Sequence, residues 1–351
     1  MARIIYGVCG EGMGHAIRSK LLLDHLSKKH EIKIFSSRGA FSFLSKHFED
    51  VQEVQGLSIA YRNNRVSKIE TVFHNILNVF GLIRSFREVK EVMDRFKPDI
   101  IISDYEIISA YAALVRRVPL VSVDNQHIIK GKISFPKKFI REYIETVIVN
   151  RINIPAAKHY IVTSFFKPEK ISAKLTVVPP IVRDAVLNTK ENPRKSHNNF
   201  ILVYQTSDTN KKLIESLKRI DREFVVSGFN KEKKEKNIQF IKFNEKKFLK
   251  YLADCEAIIA NGGFTLISEA LHLGKPVLSI PVINQFEQTL NAFYLDKLGY
   301  GKYSAHADKE NITDFINNLD GYRDNLRRYN KQDNSLLIRK MDELIRKASS
   351  L

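Results

Sequence analysis

Two series of short apolar runs, separated by one polar, proline-containing break, constrain this chain more than any other feature. The first series occupies residues 4–8, 32–35, 100–103, 120–123 and 160–162. Each run has strand length and is followed by a longer segment whose apolar residues recur at helical spacing. The alternation stops near residues 178–199, where Pro179, Pro180, Pro193 and the polar run KENPRKSHNN continue neither a sheet nor a helix. It restarts at 201–204, 224–226, 238–241, 257–260 and 277–280, interleaved with helical stretches such as 246–252 and 266–273. Alternating strand and helix predicts an α/β chain with parallel sheets, and a pattern that restarts predicts two doubly wound units in tandem. At 351 residues there is enough chain for two cores, and two units imply a cleft. The expected layout is a first domain over 1–180, a linker over 181–199, and a second domain over 200–351 that includes charged terminal helices.

The net charge of +18 is uneven: residues 1–190 hold 30 basic and 18 acidic side chains, the rest 27 and 21. Nucleic acid, an anionic membrane surface or an anionic substrate would each fit a cationic front half, as would simple solvation of scattered lysines. No stacking-aromatic motif or nucleic-acid fold accompanies the charge, which argues against nucleic acid. The sharpest cluster is Lys130, Lys132, Lys137, Lys138 and Arg141, interleaved with Ile133, Phe135, Phe139 and Ile140. Such a stretch can lie on an anionic bilayer, and the amphipathic region 73–86 can add to it. Both can equally be helices packed on a sheet. No apolar run reaches the roughly 18 residues of a membrane span. Cys9 and Cys255 sit one in each half beside strand-like runs, as buried free thiols of a reducing cytoplasm would. The start, RIIYGV, reads directly as a strand, so no signal peptide is expected. These features point to the cytoplasm, with peripheral contact to the inner membrane face as an option.

After the first strand comes Gly10-Glu11-Gly12-Met13-Gly14-His15, followed by the helix-like AIRSKLLLDHL. Glycines allow positive φ and close backbone approach, and the helix N-terminus behind them favours an anion. The spacing is GxGxGH rather than the GxGxxG of dinucleotide-binding turns. His15 stands at the mouth of the first β/α turn, where ligands meet a doubly wound sheet, and a histidine there can take a hydroxyl proton near neutrality. Its partner is a choice between Asp104 and Asp124, each closing a strand; either carboxylate can instead cap the following helix. The polar run Asp124, Asn125, Gln126, His127 is assigned to recognition of an acceptor's hydroxyls, with Gly12 and Gly14 lining the same loop.

The densest signal is NGGFTLISEALHLGKPVLSIPVINQFEQTLNA, residues 261–292. Gly262 and Gly263 permit a tight turn, and the helix opening near Thr265 presents free N–H groups to a diphosphate. Glu269, one turn into that helix, is placed to accept two hydrogen bonds from vicinal ribose hydroxyls. A plain loop and a solvated glutamate would explain each residue singly but not their joint order. The order Gly-Gly, Thr, Glu-Ala, Gly-Lys-Pro, Pro, Glu-Gln, Asn-Ala resembles the nucleotide-sugar glycosyltransferases of the GT-B fold. These comprise the UDP-glycosyltransferases and the family 28 enzymes that build lipid-linked peptidoglycan precursor and glycolipids.

The resemblance implies two Rossmann-like domains facing across a cleft. It implies that Asn261, Gly262, Gly263, Phe264 and Thr265 hold the diphosphate, Glu269 the ribose, and Glu287 with Gln288 the hydroxyls of the transferred sugar, while Asn291 buttresses the loop. It puts His15 forward as the base or as an acceptor-loop residue, and implies an inverting reaction that needs neither a metal nor a cofactor beyond the UDP-sugar donor. The acceptor is a sugar, a lipid-linked glycan or another hydroxyl compound. Two positions depart from the pattern. Asn261 stands where many relatives carry a histidine or arginine, so the leaving-group charge must be neutralised elsewhere. Tyr204-Gln205-Thr206-Ser207 stands where the peptidoglycan enzymes have a glycine-rich loop, leaving the Thr206 and Ser207 hydroxyls to meet phosphate. A UDP-sugar 2-epimerase of the same fold, or a non-catalytic sugar-nucleotide or polyanion binder, are the rival readings.

Overall fold

Strands form where the apolar runs are, and the computed structural model describes residues 1–62, 65–189, 199–205 and 210–349. In chain order they are β1 (Arg3–Val8), β2 (Glu31–Ser36), β3 (Val51–Glu53), β4 (Tyr61–Arg62), β5 (Arg65–Val66), β6 (Ile100–Asp104), β7 (Leu120–Asp124), β8 (His159–Thr163), β9 (Leu175–Val178), β10 (Phe200–Tyr204), β11 (Glu223–Ser227), β12 (Lys233–Glu235), β13 (Ile238–Ile241), β14 (Ala257–Ala260), β15 (Val277–Ser279) and β16 (Gly301–Tyr303). All ten expected strands are among them. The chain divides into two compact units, one of Met1–Ala60, Ser67–Ile181 and Asp333–Leu351, the other of Tyr61–Val66 and Val182–Gln332.

The first unit is built on a seven-stranded sheet in the order β3-β2-β1-β6-β7-β8-β9, parallel throughout. Every residue of β6 and β7 is buried. Helices covering both faces of a parallel sheet require this, and it is why these strands read as unbroken apolar runs rather than alternating ones. From β1 the chain winds first to β2 and β3, then crosses to β6 on the other side. The order therefore reverses between β1 and β6, the place where doubly wound sheets hold ligands.

The second unit repeats the plan: β12-β13-β11-β10-β14-β15-β16, parallel except for the antiparallel edge pair β12 and β13. Its reversal falls between β10 and β14, whose ends carry Gln205 and Asn261. The hairpin β4–β5 belongs to this unit, where Val66 N–H donates to the Ile283 carbonyl at 3.0 Å.

One expectation is corrected. The last helix, Ser335–Ser349, was expected in the second domain but packs into the core of the first unit through Leu337, Met341 and Ile345, beside Leu22, Leu26 and Ile100. The Cys9 and Cys255 thiols are free, the latter fully buried, and burial pushes both up to about 12. Among the described residues, no helix is long and apolar enough to cross a membrane. Helix Lys68–Leu77 buries none of its residues.

Candidate active site

Val8 of β1 lies in register with Asp104 of β6. The chain leaves β1 and enters helix Met13–Leu26, whose first turn carries Gly14 and His15. Gly12 precedes the helix with φ +82°, a conformation that L side chains avoid. A Cβ on Gly10 would lie 2.6 Å from the Ser37 carbonyl oxygen, so this turn needs glycine for close approach as well. The result is a helix whose His15 ring returns to the strand ends: Nδ1 lies 2.7 Å from Asp104 Oδ1.

The choice between capping and pairing is settled by a residue that the sequence reading passed over. Glu106, not Asp104, caps helix Ile107–Arg116, its two oxygens accepting from Ile108 and Ser109 N–H at 2.7 Å each. Asp104, fully buried, is left to accept side-chain donors. Besides His15 it takes Arg18 Nε at 2.7 Å, Arg18 Nη2, and Ser19 Oγ at 2.8 Å. Burial pushes the Asp104 carboxyl up, but the Arg18 charge, followed by that of His15 and the hydrogen bonds, outweighs it, and the carboxyl is held below its usual range. With the ring proton on Nδ1, facing the carboxylate, His15 Nε2 carries the lone pair. Gln126 Nε2 lies 3.3 Å from it, and Tyr105, left-handed at φ +57°, stacks on the ring with centroids 6.3 Å apart.

Asp124 serves a different histidine. Its carboxylate accepts the His127 N–H at 2.8 Å and His127 Nδ1–H at 2.7 Å, together with the Ser122 hydroxyl. Burial opposes ionisation here too, yet the His127 charge and these donors hold the Asp124 carboxyl down at about 2. Asn125 Oδ1 accepts from Arg18 Nη1 at 2.6 Å. These internal partners stand where acceptor hydroxyls were expected for Asp124, Asn125 and His127. Of that polar run, Gln126 reaches His15.

In the second unit the expected donor segment forms a braced turn. Asn261 Nδ2 donates to the Ile280 carbonyl at 3.1 Å and lies 3.4 Å from Gln205 Oε1, tying together the ends of β14, β15 and β10. A Cβ on Gly262 would lie 2.3 Å from the Gln288 carbonyl oxygen, so only glycine fits. The Gln288 side-chain oxygen accepts from Gly262 and Val282 N–H at 3.1 and 3.0 Å, while Asn291 Nδ2 donates to the Gly262 carbonyl at 2.9 Å. Gln288, expected with Glu287 to meet the hydroxyls of the transferred sugar, thereby spends its side-chain oxygen on bracing the turn. Gly263 is the N-cap of helix Phe264–His272, Thr265 lies half-buried in its first turn, and the cap residue contributes no side-chain hydrogen bond to that end. Glu287 is half-buried in the first turn of helix Phe286–Lys297. Thr206 and Ser207 lie outside the described residues, as do residues 190–198 of the expected linker.

Glu269 is fully buried, and both of its oxygens are taken by Arg183: Nε to Oε1 and Nη2 to Oε2, each at 2.6 Å. Arg183 Nη1 also donates to Glu245 at 2.9 Å. Burial disfavours the guanidinium charge, but bonds to these two carboxylates keep Arg183 above its ordinary value. Sequence reasoning missed Arg183 because nothing local marks it. Arg18 was findable: it sits three residues after His15, on the same helix face.

Comparison with known proteins gives the chain a family. Residues 2–320 match the sequence profile of glycosyl transferase family 1. An uncharacterized glycosyltransferase of Methanosarcina acetivorans is 26% identical, with 87% of this chain and 86% of that protein aligned. A UDP-N-acetylglucosamine–N-acetylmuramyl-(pentapeptide) pyrophosphoryl-undecaprenol N-acetylglucosamine transferase of Bacillus cereus is 25% identical over 71% of this chain and 76% of its own length. Among solved structures, the calicheamicin glycosyltransferase CalG4 superposes with a TM-score of 0.68 at 15% identity, covering 98% of both chains. MurG of Acinetobacter baumannii gives 0.64 at 14% identity, covering 99% of this chain and 100% of that one. At such identities the structures speak to the fold alone, and the fold is GT-B. The profile spans most of the chain, and the chain accordingly belongs to glycosyl transferase family 1: it is a glycosyltransferase.

Proposed function

We propose that the protein moves a hexose-type sugar from a UDP-sugar to an acceptor hydroxyl, with inversion at the anomeric carbon and without a metal ion. The observation that carries this reading is the His15–Asp104 pair at the switch point of the first sheet. His15 Nε2 takes the acceptor's proton as its oxygen attacks the anomeric carbon, the bond from that carbon to the diphosphate breaks, and UDP leaves. Asp104 stabilises the imidazolium that forms. The charge that develops on the departing diphosphate is met by the N-terminus of helix Phe264–His272, a preorganised donor set of the kind that contributes most to such steps. Because Arg183 holds Glu269, ribose recognition by Glu269 requires that pair to loosen as the donor enters.

The acceptor in this reading is lipid-linked or part of a cell-envelope glycan, reached at an anionic membrane surface. Helix Lys68–Leu77 and the start of the next helix, Val79–Phe96, expose Ile69, Phe73, Ile76, Leu77 and Phe80. Helix Ile140–Asn153 of the same unit exposes Ile144 and Ile148, and Lys68 pairs with its Glu145. Lys137 and Lys138 lie in the turn just before that helix and Arg141 in its first turn. The Bacillus cereus relative's name specifies an undecaprenol-linked acceptor, which supports the same class here.

The test is a thermal-shift screen across nucleotide sugars, followed by transfer assays with the donor that stabilises the protein. A UDP-sugar should give the largest shift, and His15→Ala should abolish transfer while keeping that shift. Wild-type turnover in His15→Ala would reject the base assignment, and conversion of the donor alone into its 2-epimer would reject transfer.

A further inference from the structure

Arg18 is an arginine only 4% exposed, placed where a histidine–carboxylate pair needs no third member. Its guanidinium donates from Nε and Nη2 to Asp104 and from Nη1 to Asn125, and Nη2 lies 2.8 Å from His15 Nδ1 because both groups donate to the same Asp104 Oδ1. We propose that Arg18 is a positioning residue of the transfer reaction, holding the Asp104 carboxylate ionised and in the orientation that fixes the His15 ring. The proposal rests on His15 being the base.

The argument begins with burial. A carboxylate with no exposure keeps its charge only if bonded cations and donors replace water. His15 cannot be that cation throughout, because a base must be neutral before it takes a proton. Arg18 is always charged, and its planar fork fixes the carboxylate plane as a lysine ammonium would not. The other charged or titratable groups around the pair do not substitute for it. Tyr6 of β1 and Cys9 after it are held neutral by burial first, and the Asp104 charge disfavours their ionised forms further. Glu11 is paired with Arg38, and Glu106 is committed to its helix cap. Burial is already the largest single influence on Asp104, and without the charge and hydrogen bonds of Arg18 it would be far less opposed, so the carboxyl would hold a proton to higher pH and lose its grip on His15 Nδ1–H.

The test compares wild type with Arg18→Met, Arg18→Lys, Asp104→Asn, the Arg18→Met/Asp104→Asn pair and His15→Ala. It measures UDP release from the turned-over UDP-sugar as a function of pH, UDP affinity, and the downfield imidazole N–H proton resonance that Asp104→Asn removes. Arg18→Met should lower kcat by about 10- to 100-fold, as misplaced catalytic groups do, with UDP affinity unchanged. It should also move the acid limb of kcat to higher pH and weaken the downfield resonance. Arg18→Lys should restore the acid limb but only part of kcat. The double variant should be no slower than Asp104→Asn, since the two residues act as one unit. Wild-type kcat and acid limb in Arg18→Met would overturn the proposal. If that variant does not fold, wild-type kcat with an unchanged resonance in Arg18→Lys would do the same. Wild-type transfer by His15→Ala would instead reject the underlying reading, whatever Arg18 does.

Discussion

Arg183 closes on Glu269 with both edges of its guanidinium, Nε to Oε1 and Nη2 to Oε2, each at 2.6 Å. The two residues lie 86 positions apart, both in the second unit, one beside the start of its Val182–Gln332 segment and the other inside helix Phe264–His272. A bidentate pair of this kind satisfies a fully buried carboxylate, and it also occupies both oxygens that would meet a ribose.

Removing one partner is therefore expected to act on stability and on nucleotide binding differently. Arg183→Ala leaves a buried charge without its counterion and should destabilise the second unit by about 3–5 kcal/mol. Glu269→Ala should weaken UDP binding at least tenfold, about 1.4 kcal/mol. Titration calorimetry with UDP and with its analogue lacking both ribose hydroxyls checks the cause: the analogue should bind wild type and Glu269→Ala equally. Equal losses for both ligands would mean that Glu269 shapes the pocket without touching ribose.

Gly262 and Gly263 are adjacent but should respond in opposite ways to alanine. A methyl on Gly262 meets Gln288 backbone at 2.3 Å, so the brace must shift, at about 1–3 kcal/mol for such overpacking. A methyl on Gly263 has nothing within 4 Å, and its φ of −64° is ordinary. Gly263→Ala should keep wild-type thermal stability and lose UDP affinity, because the methyl projects where the diphosphate would lie. Thermal melts and UDP titrations on the pair separate the two roles, and unchanged UDP affinity in Gly263→Ala would move the diphosphate off this turn.

The Asp124–His127 pair should show itself in acid stability. The Asp124 carboxyl is about 2 in the folded protein against an ordinary 3.8, so its contribution is complete above pH 4 and fades as pH falls from there toward 2. The amount is about 2 kcal/mol, at 1.36 kcal/mol for each unit of displacement. Urea melts at pH 5 and pH 3 should show Asp124→Asn losing less stability across that step than wild type. An equal loss in both would assign acid sensitivity to other carboxylates, Asp104 first.

Strand positions and the two-unit plan were legible because a fully buried parallel strand has no polar face to interrupt its apolar run. The glycine turn and Asn261–Gln288 were legible because close backbone approach leaves glycine no substitute. What stayed hidden is what depends on distant partners. Leu337, Met341 and Ile345 announce an amphipathic helix, but their spacing cannot say which core it joins, and it joins the first. Asp104 and Asp124 look alike at strand ends; only Glu106 taking the helix cap and His127 taking Asp124 divide their roles. Arg183 lies beside the proline break, where no periodicity points to Glu269.

Membrane docking gives the last prediction, and it turns on residues exposed where a soluble fold gains nothing from exposing them. Ile69 and Phe80 are 85% and 81% exposed, on helices that follow one another in the chain. Scattered apolar side chains on a surface need no explanation, but a contiguous set with basic residues beside it does. The purified protein should float with vesicles containing anionic phospholipid and be released by salt. Lys137→Glu/Lys138→Glu should cut binding by at least tenfold, since each basic group near such a surface contributes about 1 kcal/mol and reversal doubles the change. Phe73→Ser/Phe80→Ser should abolish it at any salt. If the wild type is a dimer that this second variant converts to monomer, the face is covered by another copy of the chain and the membrane assignment fails; equal binding to neutral vesicles would reject the role of charge.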